Sequence, residues 1–198
     1  MLLDLSLITN RQKLTIAKGL LDYQYIMNYW KTDCVNADTT IQDDFRSVYY
    51  GFYLKARWVK MSNEEYQNEY FQLLHSSPQH DLMTIIDILK NKSGDYEFSI
   101  CSKLLHTINP TFPIYDSKVR IFLKNKVGLD LWYLTGRKAS KTTEEKIRND
   151  WTLLCDWYRY FINTSEGKGW ISWFDVNFPS FQSISDVKKI DFIIFATT

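Results

Sequence analysis

Apolar residues recur along this chain at steps of three and four, the period of a helix that turns one face to a core. Leu14, Ala17, Leu20, Leu21 and Tyr25 predict a first long helix over about residues 10–31. The polar stretch Thr32 to Thr40 reads as a loop, and Phe45, Val48, Tyr49, Phe52 and Ala56 mark a second helix. Ser62 with Glu65 has the spacing of a capping box, in which a hydroxyl and a carboxylate satisfy the open N–H groups of a helix start. It opens a third helix through Tyr66, Tyr70, Leu73 and Leu74. Ser77-Pro78 reads as a cap with proline in the first helical position. The helix it opens carries Leu82, Ile85, Ile86 and Leu89 and stops at Ser93-Gly94.

A fifth helix is predicted over Tyr96 to Ile108. Asn109-Pro110 ends it, because the residue before a proline avoids helical geometry. Phe112-Pro113-Ile114 is extended, and Asp116 stands where the cap of the next helix, Ser117 to Lys126, belongs. Thr142 with Glu145 repeats the capping-box spacing before a long helix with Trp151, Leu154, Cys155, Tyr158 and Ile162 on one face. Ser165 to Gly169 reads as a flexible turn, Phe174 to Phe181 as irregular, and Ser185 to Ala196 as the last helix; Val127 to Ala139 is ambiguous. The pattern predicts an all-α fold with no internal repeat.

Composition changes this picture little. The chain has 198 residues, is 45% hydrophobic and carries a formal charge of +1, which suits one domain with a sizeable core. Only 7 glycines and 4 prolines argue against disorder and against a turn-rich β protein. Aromatic residues reach 16%, enough to serve either an aromatic core or stacking on flat ligands. Charge is uneven: Lys118 to Arg148 is rich in lysine and arginine and opposes them with Asp130, Glu144 and Glu145 alone. A phosphate backbone is attracted to such a stretch, although a solvated helix face reads the same way. Cys34, Cys101 and Cys155 lie far apart without metal-ligand spacing, so neither a disulfide framework nor a zinc site is expected. The opening MLLDLSLITN is too short and polar for a signal peptide, and no apolar run reaches membrane length, so a cytoplasmic protein is expected. Gly167-Lys168-Gly169 lacks the spacing of a phosphate loop.

The run from Phe98 to Arg120 carries the candidate chemistry. An apolar helix, a proline-forced extended turn and an acidic residue at the next helix start would lift one carboxylate to the mouth between two helices. Ile114-Tyr115-Asp116-Ser117-Lys118-Val119-Arg120 resembles the catalytic segment of the helix-hairpin-helix DNA glycosylases, particularly their 8-oxoguanine glycosylase-like bacterial members. In that superfamily an aspartate follows a short turn in a pattern like V-D-[ST]-x-V-x-R. The resemblance implies a two-lobed helical bundle of the helix-hairpin-helix glycosylase type over residues 1–198, with a cleft between lobes and the N- and C-terminal helices packed together. It also implies excision of a damaged or modified base from double-stranded DNA, the base being flipped into a pocket.

In that reading Asp116 stabilises the positive charge that builds on the sugar as the bond to the base breaks. The alternative is that Asp116 only caps its helix. Bifunctional members place a nucleophilic lysine where this chain has Phe98 and Ser99, which points to a monofunctional, water-using enzyme. Lys103, further along the same helix, is a candidate for a direct role or a solvated lysine. Tyr50, Tyr53, Arg57 and Tyr115 are candidate walls of the base pocket, and Lys118, Arg120 and Lys124 candidate DNA contacts. The family's hairpin is usually glycine-rich, whereas Asn91 to Asp95 offers Gly94 alone, so either phosphate contact falls to Lys92 and Ser93 or the hairpin is lost. No cofactor or metal is implied, and a monomer is expected. A role in repair, or in defence against phage DNA with modified bases, fits this reading; a non-catalytic DNA-binding or partner-binding module is the alternative.

Overall fold

The computed structural model describes residues 2–33, 39–54, 64–76, 80–131 and 141–198. Its regular structure there is helical throughout: α1 (Asn10–Asp33), α2 (Thr39–Tyr49), α3 (Glu64–Ser76), α4 (Leu82–Ser93), α5 (Phe98–Ile108), α6 (Ser117–Phe122), α7 (Lys141–Phe161), α8 (Ser165–Asn177) and α9 (Asp186–Thr197). π-helical turns extend α2 over Tyr50–Leu54 and α6 over Leu123–Val127. Among the described residues no helix is long and apolar enough to cross a membrane.

The chain divides into two compact units. The first takes in Met1–Leu20, Pro110–Tyr133 and Lys141–Thr198, the second Leu21–Asn109. In the first unit, the start of α1 is tied to α8. Lys13 Nζ donates to Asn177 Oδ1 at 2.8 Å and lies over the Trp173 ring, and the Leu2 N–H donates to the Glu166 carboxylate. Helix α9 packs on α8 and α6. In the second unit, α4 and α5 form a helical hairpin that packs on α3. Gly94 turns it in the left-handed conformation, φ 73°, its N–H donating to Lys90 O at 2.7 Å. A residue with a Cβ is strained in that conformation.

Several boundaries follow side-chain caps. Asp81 Oδ1 accepts the Thr84 N–H at 2.8 Å, so α4 starts at Leu82 on an aspartate cap; Ser77-Pro78 lies outside the described residues. Ser185, expected as the first residue of the last helix, is the cap of α9, and its hydroxyl also donates to Pro110 O at 2.6 Å. Two sequence expectations are corrected. Ser165 to Gly169 is no flexible turn but the first turn of α8, capped by Thr164, whose Oγ1 accepts the Gly167 N–H at 3.0 Å. The stretch from Phe174, expected to be irregular, continues α8 to Asn177 and then forms a 3-10 turn at Pro179–Phe181. The buried stripe of α1 is Ile16, Leu20, Tyr23, Ile26 and Trp30, whereas Leu14 and Leu21 are each 62% exposed. The capping roles read at Ser62 and Thr142 fall on side chains outside the described residues.

Candidate functional site

Asp116 is the N-cap of α6. Its backbone is extended, Oδ1 accepts the Val119 N–H at 2.9 Å, and its carbonyl accepts the Arg120 N–H at 3.0 Å. The preceding turn, from Asn109 through Tyr115, is non-helical, as Asn109-Pro110 requires. The carboxylate is half-buried, and the cap uses one of its oxygens.

The other candidates divide between the units. Asp116, Tyr115, Lys118, Arg120 and Lys124 belong to the first; Tyr50, Tyr53, Lys92, Ser93 and Lys103 belong to the second; Arg57 lies outside the described residues. Tyr115 is buried to 2% exposure. Tyr50 and Tyr53 are buried too, each held by other rings. Tyr50 meets Phe71 edge-on at 5.8 Å, and Tyr53 meets Tyr49 at 5.0 Å and Phe52 at 4.6 Å. The expected stacking wall is therefore part of a packed aromatic core, which the Tyr49 hydroxyl knits to Tyr70 at 2.9 Å and Thr107 at 3.2 Å. His106 is enclosed as well, hydrogen-bonded to the Tyr23 hydroxyl at 3.2 Å. Lys103 is half-buried, and its carbonyl accepts the Thr107 hydroxyl at 2.9 Å.

The cations read as phosphate contacts have partners within the chain. Lys118 Nζ donates to Phe195 O at 2.8 Å and sits 4.1 Å from the centre of the Phe195 ring, so it caps the C-terminal end of α9. Lys124 pairs with Asp130 at 2.8 Å and Lys92 with Glu65 at 2.5 Å, both on the surface. The Lys92–Glu65 contact holds the carboxyl below and the ammonium above their ordinary ranges. The Ser93 hydroxyl is held in the hairpin turn, donating to Asp95 O at 3.1 Å. Arg120 is half-buried on α6.

Sequence reasoning missed the charged and phenolic groups buried around α9. Lys188 and Asp191 pair at 2.6 Å with side chains 3% and 8% exposed. Lys189, 5% exposed, reaches Asp175 at 2.9 Å and Asp186 at 3.2 Å. The signal was present: Asp186/Lys189 and Lys188/Asp191 have i,i+3 spacing in an otherwise apolar helix. Tyr158, on α7, is 1% exposed. Burial pushes its phenol well above the usual range, and the charges of Asp191 and Asp116 push the same way. An open groove of about 460 Å³, also in the first unit, is lined by Lys168, Ser172, Asp175 and Asp186 among others, and Asp116 is not among its lining residues. Among the described residues no group of three or more His, Cys, Asp or Glu could hold a metal ion.

Burial also raises Tyr70 and Cys101 well above their ordinary values and pushes the Cys155 thiol up to about 12. In an unfolded chain these thiols ionise near 9.0 and the phenols near 10.0. The folded state holds their protons where the unfolded state releases them. The stability this confers is fully present below pH 9.0 and is lost as pH rises toward the folded values. Melting temperature is therefore expected to fall steadily through the range from 9 to 10 and above; a flat profile there would contradict the burial of these groups.

No protein-family model, curated protein or solved structure matches the chain.

Proposed function

We propose that the chain is a monofunctional DNA glycosylase that hydrolyses the N-glycosidic bond of a damaged or modified base. The observation that carries this reading is the presentation of Asp116. A half-buried carboxylate sits at a helix start, directly after an extended turn, and only one of its oxygens serves the cap. A carboxylate so held can face the positive charge that develops on the sugar and can take a proton from an attacking water. The layout of α4, the Gly94 turn and α5 ahead of it supports this reading, because two helices joined by a glycine turn are compatible with the hairpin that the resemblance implies. Arg120 and Lys118 stand on the turn that follows Asp116, where phosphate would be met. The substrate class ranges over repair lesions and the hypermodified bases of phage DNA.

A specific observation favours a second reading, a binding module without chemistry: Lys92, Lys118 and Lys124 all direct their charge to partners within the chain. One assay separates the two. Abasic-site formation is measured on duplexes carrying oxidised, alkylated, deaminated and phage-modified bases, for wild type and Asp116→Asn. Asparagine caps a helix as well as aspartate does, so folding should be unchanged, while excision should fall by about a hundredfold. Background levels from both proteins, with salt-sensitive DNA binding intact, would favour the binding module. Loss of binding as well would sink both.

A further inference from the structure

The open groove of about 460 Å³ in the first unit is built on one face of α8, since Lys168, Ile171, Asp175 and Val176 line it at helical spacing. Ile162, just after α7, and Asp186, the first residue of α9, complete its walls. Charge is laid out along it with a different sign at each end. At one end Lys189, 5% exposed, reaches Asp175 Oδ1 at 2.9 Å and Asp186 Oδ1 at 3.2 Å. This buried ammonium sets the two carboxylates side by side and occupies one oxygen of each. Their second oxygens have no partner among the described residues. At the other end the Lys168 ammonium is exposed and also has no partner among the described residues. Lys168 and Asp175 stand seven residues apart, about 10 Å along the helix. Between them Ile162, Ile171 and Val176 supply apolar surface, and Val176 is left 76% exposed. Asn163 and Gln182, also in the lining, donate their amide nitrogens to Arg159 O and Asp175 O, so each keeps a side-chain carbonyl as an acceptor.

We propose that this groove binds a short peptide with both ends free, its ammonium held between Asp175 and Asp186 and its carboxylate by Lys168. The opposite signs at the two ends disfavour a ligand of one charge: a polyamine would meet Lys168, and a polyphosphate the two aspartates. An ionised carboxylate only accepts and an ammonium only donates, so the two open aspartate oxygens match a free peptide N-terminus. The spacing sets the length. An extended chain advances about 3.4 Å per residue, so three residues span the roughly 10 Å between the charged ends. The two charges of a single amino acid stand too close together to meet both. Peptide N–H groups find acceptors in the Asn163 and Gln182 carbonyls, and the peptide's side chains cover Ile171 and Val176. A groove of this volume is in the range that small ligands fill. Asp116 does not line it, so the site stands apart from the glycosylase reading.

The test is a titration of the isotope-labelled full chain with trialanine, followed through the backbone amide resonances. Those of Ser172, Val176 and Gln182 should shift and saturate, while those of the α4–α5 hairpin stay in place. N-acetyl-trialanine lacks the ammonium and trialanine amide lacks the carboxylate, and each should bind about tenfold more weakly than trialanine, the loss of one charged hydrogen bond. Lys168→Ala changes an exposed side chain, and the same spectra report that it is folded. In that variant trialanine and trialanine amide should bind alike, because the group that reads the carboxylate is gone. In Asp186→Asn the advantage of trialanine over its acetylated form should shrink. Free and blocked peptides that bind equally to wild type would overturn the proposal. So would shifts that do not saturate, or that fall outside the groove. No step of this test depends on DNA, so its outcome and that of the abasic-site assay are read separately.

Discussion

Replacing Gly167 with alanine is expected to lower the melting temperature by roughly 6–12 °C, the equivalent of about 3 kcal/mol in a chain of this size. The reason lies in how α8 leaves α7. Phe161 ends α7, Thr164 caps α8, and the chain reverses between them so tightly that a Cβ on Gly167 would stand 1.9 Å from Phe161 O and 2.8 Å from its carbonyl carbon. Those atoms are backbone, and Phe161 O already accepts the Thr164 N–H at 3.0 Å and the Thr164 hydroxyl at 2.8 Å. No rotamer change relieves such an overlap; the turn itself must open. Gly169, two residues on, has nothing within 4 Å of the place a Cβ would take. Gly169→Ala should therefore be neutral or stabilising by up to about 1 kcal/mol, from helix propensity alone. Thermal melts of the two variants side by side decide the matter. Equal melting temperatures would mean that the turn yields freely.

The second large effect is at the buried ion pair of α9. Asp191→Ala should cost about 3–5 kcal/mol, because it removes the carboxylate that pairs with the enclosed Lys188 ammonium. The pair is short, 2.6 Å, and both side chains are nearly sealed from water. Lys188 also lies 4.8 Å from the centre of the Phe192 ring, a contact too weak to replace a carboxylate. Removing both charges is a different matter, since matched apolar side chains carry no desolvation cost. Lys188→Met with Asp191→Leu should recover most of the loss in chemical denaturation. A double variant as unstable as Asp191→Ala would show that the pair contributes through geometry that apolar side chains cannot copy.

How far these features were legible differs from place to place. Asp116 could be read as a cap because its signals are local: a proline that stops α5, a short extended stretch and an acidic residue before a helical period. The core face of α1 was not legible. Leucine outranks other residues as a core marker, yet Leu14 stands two residues, or about 200° of helical rotation, from Ile16, and the stripe through Ile16, Leu20 and Tyr23 is the one that is buried. Gly167 misled for a related reason. Glycine in sequence signals freedom, whereas here it answers a close approach of the Phe161 backbone that the tight reversal between α7 and α8 creates. The lysines read as phosphate contacts were legible as charges but not as partners; Phe195 O lies 77 residues from Lys118.

The bond from Lys118 to the last turn of α9 ties together two places that sequence keeps far apart. Lys118 stands two residues after Asp116, in the first turn of α6, and its ammonium holds a carbonyl that α9 would otherwise leave open. Local melting in a folded protein proceeds by cooperative patches rather than residue by residue. Asp116 and the far end of α9 therefore belong to one such patch, and fraying of that helix end loosens the carboxylate as well.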